Sequence, residues 1–203
     1  MNNRNLAIAR ISIGILGLIA IIAQLSHTTQ MGWSVSNFFS FFTIQSNVLV
    51  ILLLFASGIG SLAGITKSIA SLRGALTLYI SMTGVIYFLL LAGNETALQT
   101  TIPWVNIVLH YLIPVVVIVD WIVFPPKTTV SIKHAVLWLI YPIAYLLYSF
   151  VRGAITSWYP YPFLNPITTG WPNVVATCLI IAIGTVALAW LIAKRTPKAP
   201  RSR

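Results

Sequence analysis

The stretch Val174–Ala193, VVATCLIIAIGTVALAWLIA, indicates the fold class, because none of its residues is charged. As an α-helix, about 20 residues cross the roughly 30 Å hydrocarbon core of a bilayer. Apolar blocks of similar length precede this one along the chain. They run over Leu6–Leu25, Ser36–Ile59, Ile69–Ala92, Pro103–Phe124 and His134–Val151. The sequence therefore predicts an all-α, polytopic membrane protein whose six transmembrane helices form a bundle.

The composition supports this class of protein. Hydrophobic residues make up 58% of the 203 residues and charged residues only 7%, whereas a soluble domain carries about 25% charged residues. We predict a single transmembrane domain over residues 1–193 and a disordered basic tail over residues 194–203. The first apolar block lacks a good cleavage pattern at its end, so we expect it to remain as the first span.

The basic residues predict the orientation of the bundle. The chain has a formal net charge of +10, and nearly all of its lysines and arginines lie at the termini or in the second-to-third and fourth-to-fifth connections. These segments share one side of a six-helix chain, which the positive-inside rule assigns to the cytoplasm together with both termini. The charge is thus explained by topology and by anionic lipids, and we predict no nucleic-acid partner.

The lone cysteine, Cys178, excludes an intrachain disulfide and a Cys/His metal cluster. We therefore expect no metal and no cofactor. Membrane lipids are the expected partners, as solvent and as substrate, and the sequence leaves the oligomeric state open.

Two residues are predicted to meet at membrane depth. An ionisable side chain inside the bilayer is costly and marks a candidate functional site. His110 lies seven positions into the fourth block and Thr43 seven positions into the second, counted from Pro103 and Ser36. Both blocks run inward from the outer side, so both residues lie roughly 10 Å deep. Matched depth predicts contact between them.

Helical spacing adds polar neighbours to this pair. Ser36, Ser40, Thr43 and Asn47 are predicted to form one polar stripe on the second helix, facing the bundle interior. Asn106 precedes His110 by one turn, and Pro114 follows it by one turn, which predicts a kink because proline cannot donate to the His110 carbonyl. Asp120 lies about 15 Å further along this helix. We expect it to pair with Lys127 or a neighbour near the inner face.

A hydroxyl beside an imidazole suits acyl transfer, with His110 taking the Thr43 proton as the oxygen attacks a carbonyl. The side-chain amide of Asn47 or Asn106 would then stabilise the oxyanion. The alternative is structural: membrane threonines often bond to their own helix, and a buried histidine is often a satisfied core group. No G-x-S-x-G motif and no phosphate-binding glycine loop are present.

Several segments resemble a known family. These are Phe38–Asn47, Asn106–Pro114, Tyr141-Pro142, Arg152-Gly153 and Trp158–Leu164, and they resemble bacterial six-helix membrane proteins of unassigned role. That family is similar to the androgen-induced and androgen-dependent transmembrane hydrolases of eukaryotes. The resemblance implies a threonine hydrolase acting on fatty acid esters of hydroxy fatty acids, in a bacterial cytoplasmic membrane, with Thr43 and His110 as the essential residues.

Other interpretations stay open. The aromatic residues between the fifth and sixth blocks fit an interfacial belt or a lid over the site. Arg152 would bind a substrate carboxylate or pair with Glu95. A related branch looks like acyltransferases that use cysteine, and none lies near the proposed site here. A small-solute transporter and a lipid-organising protein without catalysis are the remaining alternatives.

Overall fold

The computed structural model describes residues 3–65, 69–93, 98 and 101–197, and it confirms the predicted class. Six helical segments are long and apolar enough to cross a membrane. They are Asn3–Gln30, Phe42–Leu62, Ala70–Leu91, Pro103–Val123, Ile132–Thr156 and Trp171–Lys194. The first helix is longer than predicted at both ends, and the third and fourth agree with the predicted blocks to within a residue. The predicted partner of Arg152, Glu95, lies outside the described residues.

The helices are labelled along the chain. The first two spans are α1 (Asn3–Gln30) and α3 (Phe42–Leu62), with the short α2 (Val35–Phe38) between them. The third span is α4 (Ala70–Ile86), and the fourth comprises α5 (Pro103–Ile107) and α6 (Ile113–Val123). The remaining helices are α7 (Ile132–Leu137), α8 (Ile140–Thr156), α9 (Pro166–Thr169) and α10 (Trp171–Lys194).

The second predicted helix is broken, which corrects the predicted polar stripe. Ser34 caps α2 by accepting a hydrogen bond from the amide of Asn37, and the chain becomes extended at Phe41 before α3 begins. The side-chain amide of Gln45 donates to the carbonyl of Phe39, 2.9 Å away, and this bond stabilises the break. Ser36 and Ser40 therefore precede the break and do not share a helix with Thr43.

Two π-helical turns interrupt the third and fourth spans. The first covers Tyr87–Leu91 at the end of α4, and the second covers Val108–Leu112 between α5 and α6. Pro114 accounts for the second, because it has no N–H for the His110 carbonyl and its ring crowds that carbonyl. The predicted irregularity at His110 thus takes the form of a widened turn. Gly84 packs here: a Cβ on it would lie 3.0 Å from Cβ of Pro114.

Asp120 holds three helices together at the end of the bundle away from Thr43. Its carboxylate accepts hydrogen bonds from Arg10 of α1, at 2.9 Å, and from Arg73 of α4, at 3.0 Å. Of the two predicted alternatives, the structure pairs Asp120 with neighbouring basic residues and not with Lys127. The bundle brings two arginines from other helices to the carboxylate, and a partly buried carboxylate in lipid surroundings requires such partners.

The fifth span differs from prediction because it is two helices. α7 ends at Leu137, and α8 starts at Ile140 and continues to Thr156, beyond the predicted end at Val151. Side chains one turn apart on α8 bond to the first turn of α3 and to the broken segment before it. These bonds join Tyr141 to Gln45, Tyr145 and Tyr148 to Ser40, and Arg152 to Asn37. Long polar side chains thus attach α8 to the bundle.

The basic tail does not begin where it was predicted. Lys194 is the last residue of α10, Arg195 donates to the carbonyl of Ile122 at 3.1 Å, and Thr196 accepts from the amide of Val130 at 3.1 Å. The first bond reaches the last turn of α6 and the second reaches the connection between α6 and α7, so residues 194–196 pack against this end of the bundle. Residues 198–203 lie outside the described part of the chain.

Candidate functional site

Thr43 is the second residue of α3 and lies where the helix begins. The amides of the first helical turn have no carbonyl partner within the helix. The amide of Thr43 donates instead to the phenol oxygen of Tyr161, 3.3 Å away. The break before α3 therefore exposes both the hydroxyl and the amide of Thr43 to the interior of the bundle.

The predicted contact between Thr43 and His110 is confirmed. Oγ1 of Thr43 lies 3.3 Å from Nε2 of His110. Nδ1 of the same ring lies 3.3 Å from the carbonyl oxygen of Asn106. Because a carbonyl only accepts, Nδ1 carries the proton and Nε2 presents a lone pair to the threonine hydroxyl. Both distances are long for strong hydrogen bonds, as is common in sites that tighten around a substrate.

The imidazole is held by packing as well as by hydrogen bonds. The ring of Tyr87 stacks on it, with centroids 3.9 Å apart and an angle of 23° between the planes. The Tyr87 hydroxyl accepts a hydrogen bond from Nδ2 of Asn106, at 2.5 Å. Tyr87 and His110 each belong to one of the two π-helical turns, a deviation often found at functional sites. The two irregular turns thus place the stacked rings face to face.

The two asparagines make hydrogen bonds within the bundle. Nδ2 of Asn47 donates to the carbonyls of Thr43, at 2.9 Å, and of Leu109, at 3.2 Å. Both protons of this amide are therefore used in joining α3 to the helix that carries His110. Asn106 contributes its carbonyl to His110 and its side-chain amide to Tyr87. In this structure Asn47 is thus a structural residue and has no free donor for an oxyanion.

Two cavities meet at Thr43. The larger has a volume of about 180 Å³ and lies between α4, α8 and α10, with almost entirely apolar walls. The smaller, about 10 Å³, lies on the His110 side and is close to the minimum space for one water molecule. Thr43, Tyr161 and Leu91 line both. Two other residues that line the larger cavity, Ile143 and Val186, are exposed, so this cavity opens at the surface of the bundle between α8 and α10.

The segment between α8 and α10, residues 157–170, folds over the site and is called the aromatic loop below. Tyr161 is only 6% exposed and stacks in parallel on Phe163, with centroids 5.3 Å apart. Trp158 and Tyr161 both pack against Phe41. This geometry agrees with the lid interpretation for this part of the loop. Trp171 instead lies exposed at the start of α10, as an interfacial residue would.

Arg152 lies beside the site without lining either cavity at Thr43. Its Nη2 donates to Oδ1 of Asn37, at 2.6 Å, and its guanidinium lies over the ring of Trp158, 4.5 Å from the centroid. It borders a shallow groove along α8. Its binding of a substrate carboxylate stays a prediction.

Sequence reasoning missed Tyr87, and it predicted Tyr161 only as one of the aromatic residues of an interfacial belt or lid, without a contact to Thr43. Tyr161 contacts Thr43 across 118 positions of the chain, and its place in a proline-rich loop gives no periodicity from which to infer depth. The sequence did carry a signal for Tyr87: it lies one helical turn after Thr83, so the two polar side chains share a face of the third predicted helix. Within the described residues, no three His, Cys, Asp or Glu side chains converge to hold a metal.

No protein-family model, curated protein or solved structure matches this chain.

Proposed function

We propose that this chain is a membrane-embedded hydrolase of fatty acid esters, with Thr43 as the nucleophile and His110 as the general base. The observation that carries the proposal is the 3.3 Å contact between Oγ1 of Thr43 and Nε2 of His110 at the wall of an apolar cavity. A hydroxyl and an oriented imidazole are the minimum for nucleophilic acyl transfer. The resemblance to threonine hydrolases assigns these two residues the same roles.

The acylation step follows from the orientation of the imidazole. Nε2 of His110 takes the hydroxyl proton as Oγ1 of Thr43 forms a bond to the ester carbonyl carbon, and the carbonyl π pair moves to its oxygen. When the carbonyl re-forms, the bond to the alcohol oxygen breaks. That oxygen leaves with the proton from Nε2, and the acyl group remains on Thr43.

Deacylation reverses the roles, with water in place of the alcohol. His110 takes a proton from water as the water oxygen attacks the acyl carbon, and it returns the proton to Oγ1 of Thr43. The small cavity beside His110 has space for about one water molecule. The net reaction is ester plus water to acid plus alcohol.

The larger cavity supports a substrate with an alkyl chain. Its walls include the aliphatic side chains of Met82, Ile86, Leu146 and Ile181. An alkyl chain that moves from water into this cavity is stabilised by about 25 cal/mol for each Å² of apolar surface that it buries. Its opening between α8 and α10 faces the lipid acyl chains. The proposed substrate thus enters sideways from a membrane, which by the resemblance is a bacterial cytoplasmic membrane.

The test is hydrolysis of p-nitrophenyl esters of fatty acids by the purified protein in detergent. Thr43→Ala is expected to lower kcat by about 10³-fold or more, while Thr43→Ser retains activity because a hydroxyl remains. Thr77→Ala is the matched control, since Thr77 is a buried threonine that lines neither cavity and whose hydroxyl donates to the Arg73 carbonyl one turn earlier. Wild-type kcat in folded Thr43→Ala would contradict the proposal and favour direct attack by a His110-activated water.

A second variant tests the cavity. Ala182 lines it on α10, and Ala182→Trp fills it with an indole ring. We expect kcat/KM to fall for a long-chain ester and to stay close to wild type for the acetyl ester. An equal fall for both esters would show that the cavity does not hold the acyl chain.

A further inference from the structure

The proposed chemistry needs hydrogen-bond donors for the oxyanion, and this inference rests on the proposed function. Donors aimed at the developing negative charge usually supply the largest share of catalysis in acyl transfer. The side-chain amide of Asn47 is engaged by two carbonyls, at 2.9 and 3.2 Å. Asn47 therefore has no side-chain proton left for an oxyanion, whereas the start of α3 and the aromatic loop both place donors at the Thr43 end of the site.

The amide of Thr43 is one suitable donor. It belongs to the first turn of a 21-residue helix, where the amides carry a partial positive charge and lack helical acceptors. A nucleophile's own amide contributes to the oxyanion hole in serine proteases, so the arrangement is chemically sound. In this structure the Thr43 amide points at an oxygen, the phenol oxygen of Tyr161, 3.3 Å away.

The phenol of Tyr161 is the second donor. Its oxygen accepts from the Thr43 amide, which leaves its own O–H to donate. Its ring lines both cavities that meet at Thr43, and stacking on Phe163 together with packing against Phe41 fixes its position. Burial raises the pKa of the Tyr161 phenol, so it is protonated near neutral pH.

We propose that Tyr161 is a catalytic residue, whose phenol O–H binds the ester oxyanion together with the backbone N–H of Thr43. The phenol oxygen occupies the amide's acceptor position in the absence of substrate. When the ester carbonyl enters from the apolar cavity, its oxygen takes the place of the phenol oxygen and accepts the hydrogen bond from the Thr43 amide. The same carbonyl oxygen also accepts a hydrogen bond from the phenol O–H of Tyr161. Tyr161 keeps its proton throughout, and the carbonyl re-forms with the electron pair that moved to oxygen.

The test compares Tyr161→Phe with Tyr148→Phe in the purified protein. The first change removes the hydroxyl and keeps the ring that packs on Phe41 and Phe163. The matched control removes another tyrosine hydroxyl, the one bonded to Ser40, on a residue that lines neither cavity at Thr43. With a long-chain p-nitrophenyl ester, Tyr161→Phe is expected to lower kcat by about 10²–10³-fold with little change in KM. Tyr148→Phe should retain wild-type kcat.

Two inhibitors separate transition-state binding from ground-state binding. A long-chain trifluoromethyl ketone forms an anionic adduct with the Thr43 hydroxyl, so Tyr161→Phe should weaken it by about the same factor as kcat/KM. An ether analogue of the ester forms no adduct and should bind both variants equally. Equal turnover and equal ketone affinity in the two variants would overturn the proposal. A Tyr161→Phe variant with raised KM, weakened ether binding or a lowered unfolding temperature would show a structural role and overturn it too.

Failure of the proposed function looks different. In that case wild-type protein shows no Thr43-dependent hydrolysis and no Thr43-dependent ketone binding, and both proposals fall together. If wild type passes both assays and Tyr161→Phe matches it, only the role of Tyr161 is wrong.

Discussion

At the scale of single residues, a backbone carbonyl takes part in orienting the histidine. The third member of a hydrolase triad is often an acidic residue that bonds Nδ1 of the histidine. In the described part of the chain, that atom faces the Asn106 carbonyl, 3.3 Å away. A carbonyl orients the ring without placing a net charge inside the bundle.

Sequence reasoning predicted the central pair and missed its surroundings, for physical reasons. Thr43 and His110 lie on membrane-spanning helices, whose fixed rise converts a position in the sequence into a depth. The roles of Asn47 and Tyr161 depend on which acceptors lie within about 3 Å of them. That information comes from helix packing and loop conformation, which residue spacing does not encode.

Asn47→Ala tests the structural role of this asparagine. The change removes a fully buried amide that bonds carbonyls of two helices, so we expect a loss of about 1–3 kcal/mol in the free energy of unfolding. Unfolding in detergent with increasing denaturant measures this loss. A variant with wild-type stability and a kcat lowered by about 10²-fold would instead restore Asn47 as an oxyanion donor.

At the scale of elements, irregular backbone positions the site. The break before α3 places the Thr43 amide at a helix start, and the two π-helical turns bring Tyr87 against His110. The spans themselves were predictable from hydropathy. The break was not, because Phe38–Phe42 is as apolar as the helix that follows it. Its position depends on side-chain bonds: Ser34 caps the start of α2, and the side-chain amide of Gln45 bonds the Phe39 carbonyl just before α3.

The aromatic loop can be displaced without touching Thr43 or His110. Gly153 on α8 packs directly under the ring of Tyr159, so a Cβ at this position would overlap that ring. We expect Gly153→Ala to move the loop and to lower kcat/KM for fatty esters about 10-fold or more, since small misplacements at a reaction site carry large rate costs. Gly184→Ala on α10 is the control, because nothing lies within 4 Å of its added Cβ. Equal rates for the two variants would show that the loop does not order the site.

The inner end of the bundle depends on one carboxylate. Asp120→Asn leaves the partly buried Arg10 and Arg73 without their shared counter-charge, and we expect the unfolding free energy to fall by about 3 kcal/mol. The kcat of the folded variant should stay near wild type, since Asp120 and His110 are about 15 Å apart along the fourth membrane-spanning segment. Lys127→Ala serves as the control, because the structure gives that exposed lysine no part in this cluster. A kcat that falls with stability unchanged would contradict this assignment.

At the scale of the whole molecule, the charge bias predicts which way the bundle crosses the membrane. Lysines and arginines gather at the end that holds the Asp120 cluster, so the Thr43 end faces the outer side. A reporter that works only in the cytoplasm should therefore be active when it is fused after Arg203, and a reporter that works only outside the cytoplasm should be inactive there. A reporter active on the opposite side would reverse the orientation and place the site at the inner leaflet.

The cavity beside the site has α8 as one of its walls. Tyrosine hydroxyls and Arg152 join α8 to α3 and to the segment before it, at 2.6–3.0 Å. Residues of α4 and α10 line the cavity of about 180 Å³ together with α8, and this cavity reaches Thr43.

The most direct test of the account is the turnover of long-chain esters by Thr43→Ala, His110→Ala and the double variant, each checked for folding by its unfolding transition. If the two residues act as one unit, each single change should lower kcat by about 10³-fold or more and the double change should be little worse. Losses that multiply in the double variant would contradict the account, because they would show that Thr43 and His110 act independently.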